Sequence, residues 1–93
     1  MAIVFYIPGM LRRHTDGRSQ VEIQSGPATM GEALAALWRE YPGLRDRIVT
    51  EQGEVRQHVN IFIGEENIRD RGGFGAAMVD GAVVTIVPAV SGG

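Results

Sequence analysis

The stretch Thr29-Met30-Gly31-Glu32-Ala33-Leu34-Ala35-Ala36-Leu37-Trp38-Arg39-Glu40-Tyr41 decides the fold, because it carries the one long helical pattern in the chain. Thr29 and Glu32 make the T-x-x-E capping box, the hydroxyl taking one free amide and the carboxylate returning to another. Met30, Ala33, Leu34, Leu37, Trp38 and Tyr41 recur at spacings of three and four, which lines one face of a helix with apolar groups. Pro42-Gly43 stops it.

The segments on either side read as strands. Residues 2–7 are short, β-branched and aromatic, and end at Pro8-Gly9. Residues 12–17 are polar and contain the turn signal Asp16-Gly17. Val21-Glu22-Ile23-Gln24 alternates apolar and polar, as a half-buried strand does, so the chain opens on a hairpin. Gly26-Pro27 breaks it before the helix. Beyond the helix, residues 44–48 read as a short helical turn and 50–53 as polar loop. Residues 59–63 form a strand with Val59, Ile61 and Ile63 on one face and Asn60 and Phe62 on the other. Gly64-Glu65-Glu66 turns into a short edge strand, Asn67-Ile68-Arg69. Gly72-Gly73-Phe74-Gly75 is a loop with Phe74 anchored in the core, and Asp80-Gly81 leads into the last strand, residues 82–87, which Pro88 ends.

The order strand, strand, helix, strand, short strand, strand predicts an α+β fold, a mixed sheet of four to five strands packed on one main helix. With a hairpin first and the last strand returning to the centre beside the first, it is the β-grasp plan. Composition alone does not separate that plan from another ββαββ sheet. Residues 1–88 form the domain and 89–93 a flexible tail.

Alternation along the strands has a second consequence. If Ile3, Phe5, Ile7, Val59, Ile61, Ile63, Val84 and Ile86 face the helix, the opposite face carries Val4, Tyr6, Asn60, Phe62, Val83, Thr85 and Val87. A solvated sheet face is ordinarily polar, whereas this one is largely apolar. Such a patch fits a partner surface, a cover made by residues 42–57, or a dimer contact; the partner surface is the reading preferred here.

After Pro88 the chain runs Ala89-Val90-Ser91-Gly92-Gly93. Proline donates nothing to a sheet ladder, so the tail is expected to leave the fold there. Five extended residues reach roughly 16 Å, enough to enter a neighbouring active site. Two glycines lack Cβ atoms, so their backbone can thread a narrow tunnel and present a bare carboxylate.

Composition limits the chemistry. Ninety-three residues suffice for one core. There is no cysteine, which excludes a disulfide framework, a thiolate metal site and a cysteine nucleophile. The net charge of −2 argues against nucleic-acid binding. No apolar run reaches membrane-spanning length and residues 1–7 lack the basic flank of a signal peptide, so no membrane association is expected and the cytoplasm is the expected compartment. All nine basic residues are arginine. Coding bias explains this; it also leaves no side-chain amine to capture an activated acyl group.

Two quoted stretches carry a family resemblance. Val59-Asn60-Ile61-Phe62-Ile63-Gly64-Glu65-Glu66-Asn67-Ile68-Arg69 and the closing Asp80-Gly81-Ala82-Val83-Val84-Thr85-Ile86-Val87-Pro88-Ala89-Val90-Ser91-Gly92-Gly93 resemble the ubiquitin-like MoaD/ThiS sulfur carriers. The likeness extends to Ile7-Pro8 and Leu11-Arg12 and leans to the cysteine-biosynthetic branch. It implies that the chain is a carrier and not an enzyme. An E1-like adenylating enzyme of MoeB/ThiF type would join the Gly93 carboxylate, next to Gly92, to AMP from ATP. A sulfurtransferase or persulfide donor would convert it to a thiocarboxylate, and a sulfur-accepting enzyme such as a PLP-dependent cysteine synthase would receive the sulfur. A JAMM-type metallopeptidase would then release the product. No cofactor is expected to be permanently bound; ATP belongs to the activating enzyme. Val4, Tyr6, Phe62, Val83, Thr85, Val87, Ala89, Val90 and Ser91 are the expected partner contacts. The competing readings are the small subunit of molybdopterin synthase, a protein modifier that joins its tail to lysines, and a binding module with an incidental tail.

Other signals are weaker. Gly73-Phe74-Gly75-Ala76-Ala77-Met78 lacks the third glycine of a dinucleotide fingerprint and follows no βαβ unit. Arg71-Gly72-Gly73 is internal and offers no carboxylate. Arg12-Arg13-His14 reads as a solvated basic cluster. His14 and His58 are too isolated for a metal site or an acid–base pair.

Overall fold

The computed structural model describes residues 2–24, 26 and 28–88. Ile3–Tyr6 (β1) and Gln20–Ile23 (β2) pair antiparallel, with Ile3 opposite Ile23 and Tyr6 opposite Gln20. The link between them is not an open loop. Gly9–His14 winds into a 3-10 helix, and Asp16 and Gly17 both take positive φ, 56° and 83°, to turn the chain back. Asparagine, aspartate and glycine are the residues that tolerate this conformation, which is why Asp16-Gly17 served as a signal. Thr15, fully buried, closes the turn by donating to the Arg18 carbonyl at 2.8 Å.

Met30–Glu40 (α1) starts on the expected cap: the Glu32 amide donates to Thr29 Oγ1 at 3.2 Å, and the Glu32 carboxylate accepts from the Ala28 amide at 2.9 Å. The helix ends before Pro42, which then serves as the first residue of a second helix, Pro42–Ile48 (α2). Proline breaks one helix and opens the next for one reason: it has no N–H, which forfeits a bond inside a helix but none at a first turn, where that donor has no intrahelical partner.

Val59–Ile63 (β3) follows, then Glu66–Asn67 (β4) and Val83–Pro88 (β5). The sheet order is β2-β1-β5-β3-β4, with β5 parallel to β1 and antiparallel to β3. The last strand thus lies at the centre beside the first, as expected. Most strand ends move by one residue, and two shifts are informative. The edge strand stops at Asn67 and residues Ile68–Asp70 form a 3-10 helix, because the Asn67 side chain accepts from the Arg69 amide at 3.0 Å and bends the chain. The closing strand includes Pro88, which stands opposite Val59.

The core lies between α1, α2 and one face of the sheet. Ile3, Phe5, Ile61, Val84 and Ile86 meet Met30, Leu34 and Leu37 there, with Leu44, Ile48 and Val49 from the second helix and its end. Burying each of these side chains stabilises the fold by about 1.5–3 kcal/mol. Trp38, Tyr41 and Ile63 pack against the rim of this core half-buried. Residues 73–78 are tied to the start of α1: Met30 donates to the Ala76 carbonyl and Met78 to the Ala28 carbonyl, each at 2.9 Å. A Cβ at Gly31 would lie 3.3 Å from the Phe74 carbonyl oxygen, so a glycine there lets the two segments approach. The glycine-rich loop is structural, and Phe74 packs half-buried on the core as expected.

Candidate functional site

The outer face of the sheet assembles residues from all three central strands. Register puts Tyr6 beside Thr85 and Thr85 beside Phe62, one continuous row across β1, β5 and β3. Val4 stands beside Val83 in a second row, and Val87 beside Asn60 in a third. Cross-strand neighbours on one face lie roughly 4.5–5.5 Å apart, so the six side chains Val4, Tyr6, Phe62, Val83, Thr85 and Val87 form one patch. Tyr6, Val83 and Val87 are 40%, 39% and 41% exposed, while Val4, Phe62 and Thr85 are half-buried among them. Three large side chains at this exposure in adjoining rows leave a contiguous apolar patch facing water. Residues 42–57 do not cover it, because Leu44, Ile48 and Val49 belong to the core on the other side.

One border of the patch is polar and tightly connected. Asn60 Oδ1 accepts from Asn67 Nδ2 at 3.0 Å and from Arg69 Nη1 at 2.6 Å. Arg69 Nη2 donates to two main-chain carbonyls, those of Val59 at 3.0 Å and Arg56 at 3.2 Å. The sequence showed Asn60 only as the odd polar residue on an apolar face, and did not assign Arg69 a role. The Asn-x-Arg spacing of residues 67–69 marks a turn, but the link back to Asn60 and Val59 is made across the sheet and is invisible along the chain.

The structure therefore brings together the six sheet-face residues expected from alternation. Gly92, Gly93, Ala89, Val90 and Ser91 lie outside the described residues. Pro88, the last described residue, ends the central strand of the patch, so the tail begins at the border of that face. His14 lies against Gly43, where an added Cβ would come within 3.1 Å of its Nδ1, and so packs against the second helix. Among the described residues, no three histidine or acidic side chains converge as metal ligands would. No described helix is long and apolar enough to cross a membrane.

Comparison with known proteins places this geometry. The ThiS family model matches residues 6–93, the final glycine pair included. The sulfur carrier protein CysO of Mycobacterium tuberculosis is 36% identical over 95 residues, covering all of both chains. Small archaeal modifier protein 3 of Haloferax volcanii is 39% identical over 66 residues, covering 71% of each. Among solved structures, the BexX/CysO complex of Amycolatopsis orientalis contains a chain that superposes with a TM-score of 0.88 at 34% identity, over 99% of this chain and 100% of that one. The fold is the ubiquitin-like β-grasp, and the chain belongs to the ThiS family.

Proposed function

We propose that this chain is a sulfur carrier whose chemistry resides on the Gly93 carboxylate. The observation that carries the reading is the full-length similarity to CysO, a sulfur carrier protein, together with a family match that runs through Gly92-Gly93. In this reading a partner of adenylating type, using its own ATP, joins the carboxylate to AMP and releases pyrophosphate. Sulfide sulfur then attacks the acyl carbon and AMP leaves, which yields a thiocarboxylate; a persulfide donor requires a second thiol to cleave its S–S bond. The stored sulfur passes to a biosynthetic acceptor, of which a PLP-dependent cysteine synthase with a JAMM-type metallopeptidase is the version that similarity to CysO supports. A cysteine-free chain suits carriage on main chain rather than on a side chain.

The outer sheet face is the docking surface in this proposal. Val4, Tyr6, Phe62, Val83, Thr85 and Val87 seat the partner, while Ala89, Val90 and Ser91 cross into its active site. The presence of a CysO chain in a complex with BexX in a solved structure supports a carrier that works through partners.

A second reading has its own support: the 39% identity to a small archaeal modifier protein favours attachment of the tail to lysines of other proteins. Intact-mass analysis after incubation with an adenylating enzyme, ATP and a sulfur donor separates the two. A gain equal to oxygen replaced by sulfur is expected for the carrier, and an isopeptide-linked ladder for the modifier. Removal of Gly93 is expected to abolish either product while leaving the melting temperature unchanged; a variant lacking Gly93 that still gains sulfur would overturn the proposal.

A further inference from the structure

We propose that Arg69 is a positioning residue for the tail, with Arg12 as its counterpart on the opposite flank of β5; this rests on the tail chemistry proposed above. The N–H and C=O of one residue in an antiparallel ladder point toward the same neighbouring strand. Val59 donates its N–H to the Arg56 carbonyl at 2.9 Å and receives Arg69 Nη2 on its own carbonyl at 3.0 Å, so both groups point away from β5. Pro88, opposite Val59, therefore forfeits no bond to β3 by lacking an N–H. On the far side β4 has already ended, since its two residues pair with Phe62 and Ile63. The Arg69 guanidinium takes the Val59 carbonyl that a longer β4 would have faced.

The same group holds the side chain of Asn60, and Asn60 stands opposite Val87. Arg69 thus fixes both β3 positions that face the last two residues of β5. The other flank is closed alike. Ile7 donates its N–H to the Ser19 carbonyl at 2.8 Å and its carbonyl accepts from Arg12 Nε at 3.1 Å, again away from β5. At the end of the sheet where the tail begins, two guanidinium groups do what strand pairing does elsewhere. Side chains thus brace both strands that flank the last residues of β5. Arg69 meets three neutral oxygens in a fixed fork, an arrangement a lysine ammonium cannot reproduce.

A mis-aimed tail leaves docking intact and slows chemistry, because misplacement by about 1 Å can cost up to a hundredfold in rate. The test is ATP–pyrophosphate exchange by the adenylating enzyme, followed against the concentration of full-length carrier. Arg69→Ala and Arg69→Lys are expected to lower kcat by about tenfold or more with KM changed less than about twofold, and Arg12→Ala to act in the same sense but more weakly. Hydrogen exchange at the Val87 amide is expected to speed up in both Arg69 variants. If Arg69→Ala fails to fold, Arg69→Lys, which keeps the charge and the aliphatic stem, carries the test alone. An unchanged kcat in a folded Arg69 variant overturns the proposal, and so does a rise in KM alone, which would make Arg69 a docking contact. Wild-type protein that supports no exchange overturns the carrier reading itself, a different result.

Discussion

The two faces of the central sheet are built from the same kinds of residue and do different work. On β5, Val84 and Ile86 are 0% and 2% exposed under the helices, while Val83 and Val87, their immediate neighbours in sequence, are 39% and 41% exposed on the outer face. Both sets favour strands through β-branching and differ only in what covers them. The inner set stabilises the fold. The outer set keeps apolar surface in water, which lowers solubility and helps nothing in the isolated chain. An apolar outer face on the strand that feeds the tail makes sense when a partner supplies the cover.

Adjacent residues on one strand give the sharpest way to break this contrast. Ile86→Asp puts an unpaired carboxylate into the core and is expected to remove more than about 4 kcal/mol, enough to unfold the domain, as circular dichroism would show. Phe5→Ala is expected to cost about 3–5 kcal/mol in a denaturant titration, through lost burial and the cavity left behind. Val87→Asp, one residue from Ile86, is expected to change stability by about 1 kcal/mol or less and yet weaken binding to the adenylating enzyme about tenfold, or about 1.4 kcal/mol, read by calorimetry. A folded Val87→Asp protein that binds as well as wild type would remove the outer face from the proposal. The smallest effect belongs to the sheet edge: the exposed Arg71–Glu66 pair is 3.4 Å apart, and Glu66→Ala is expected to shift stability by no more than about 0.5 kcal/mol.

Much of this was legible in the chain because it depends on local rules. Thr29 and Glu32 opened the main helix through donors and acceptors within four residues of one another, Pro42 closed it by lacking an N–H, and the period of two assigned Tyr6, Phe62 and Val83 to one face. The edge strand was read as residues 67–69 and is Glu66–Asn67, since Ile68 carries a strand-like side chain while the Asn67 side chain redirects the backbone beneath it. The 3-10 helix at Gly9–His14 was read as plain loop, because about two turns of 3-10 helix are too short for an apolar period to reveal them.

Sequence by itself determined the main helix, the order of the strands, the alternation that makes the sheet two-faced and the absence of any side chain able to carry sulfur as a thiol. These follow from covalent geometry and from hydrogen bonds between near neighbours. Tertiary structure alone decided what lies on each side of the sheet: Leu44, Ile48 and Val49 joining the core rather than the outer face, and Arg69 reaching back to Val59 and Asn60 beside the end of β5. Such contacts join residues nine apart or more, or distant elements, and their formation depends on the packing of the whole domain rather than on any local preference of the chain.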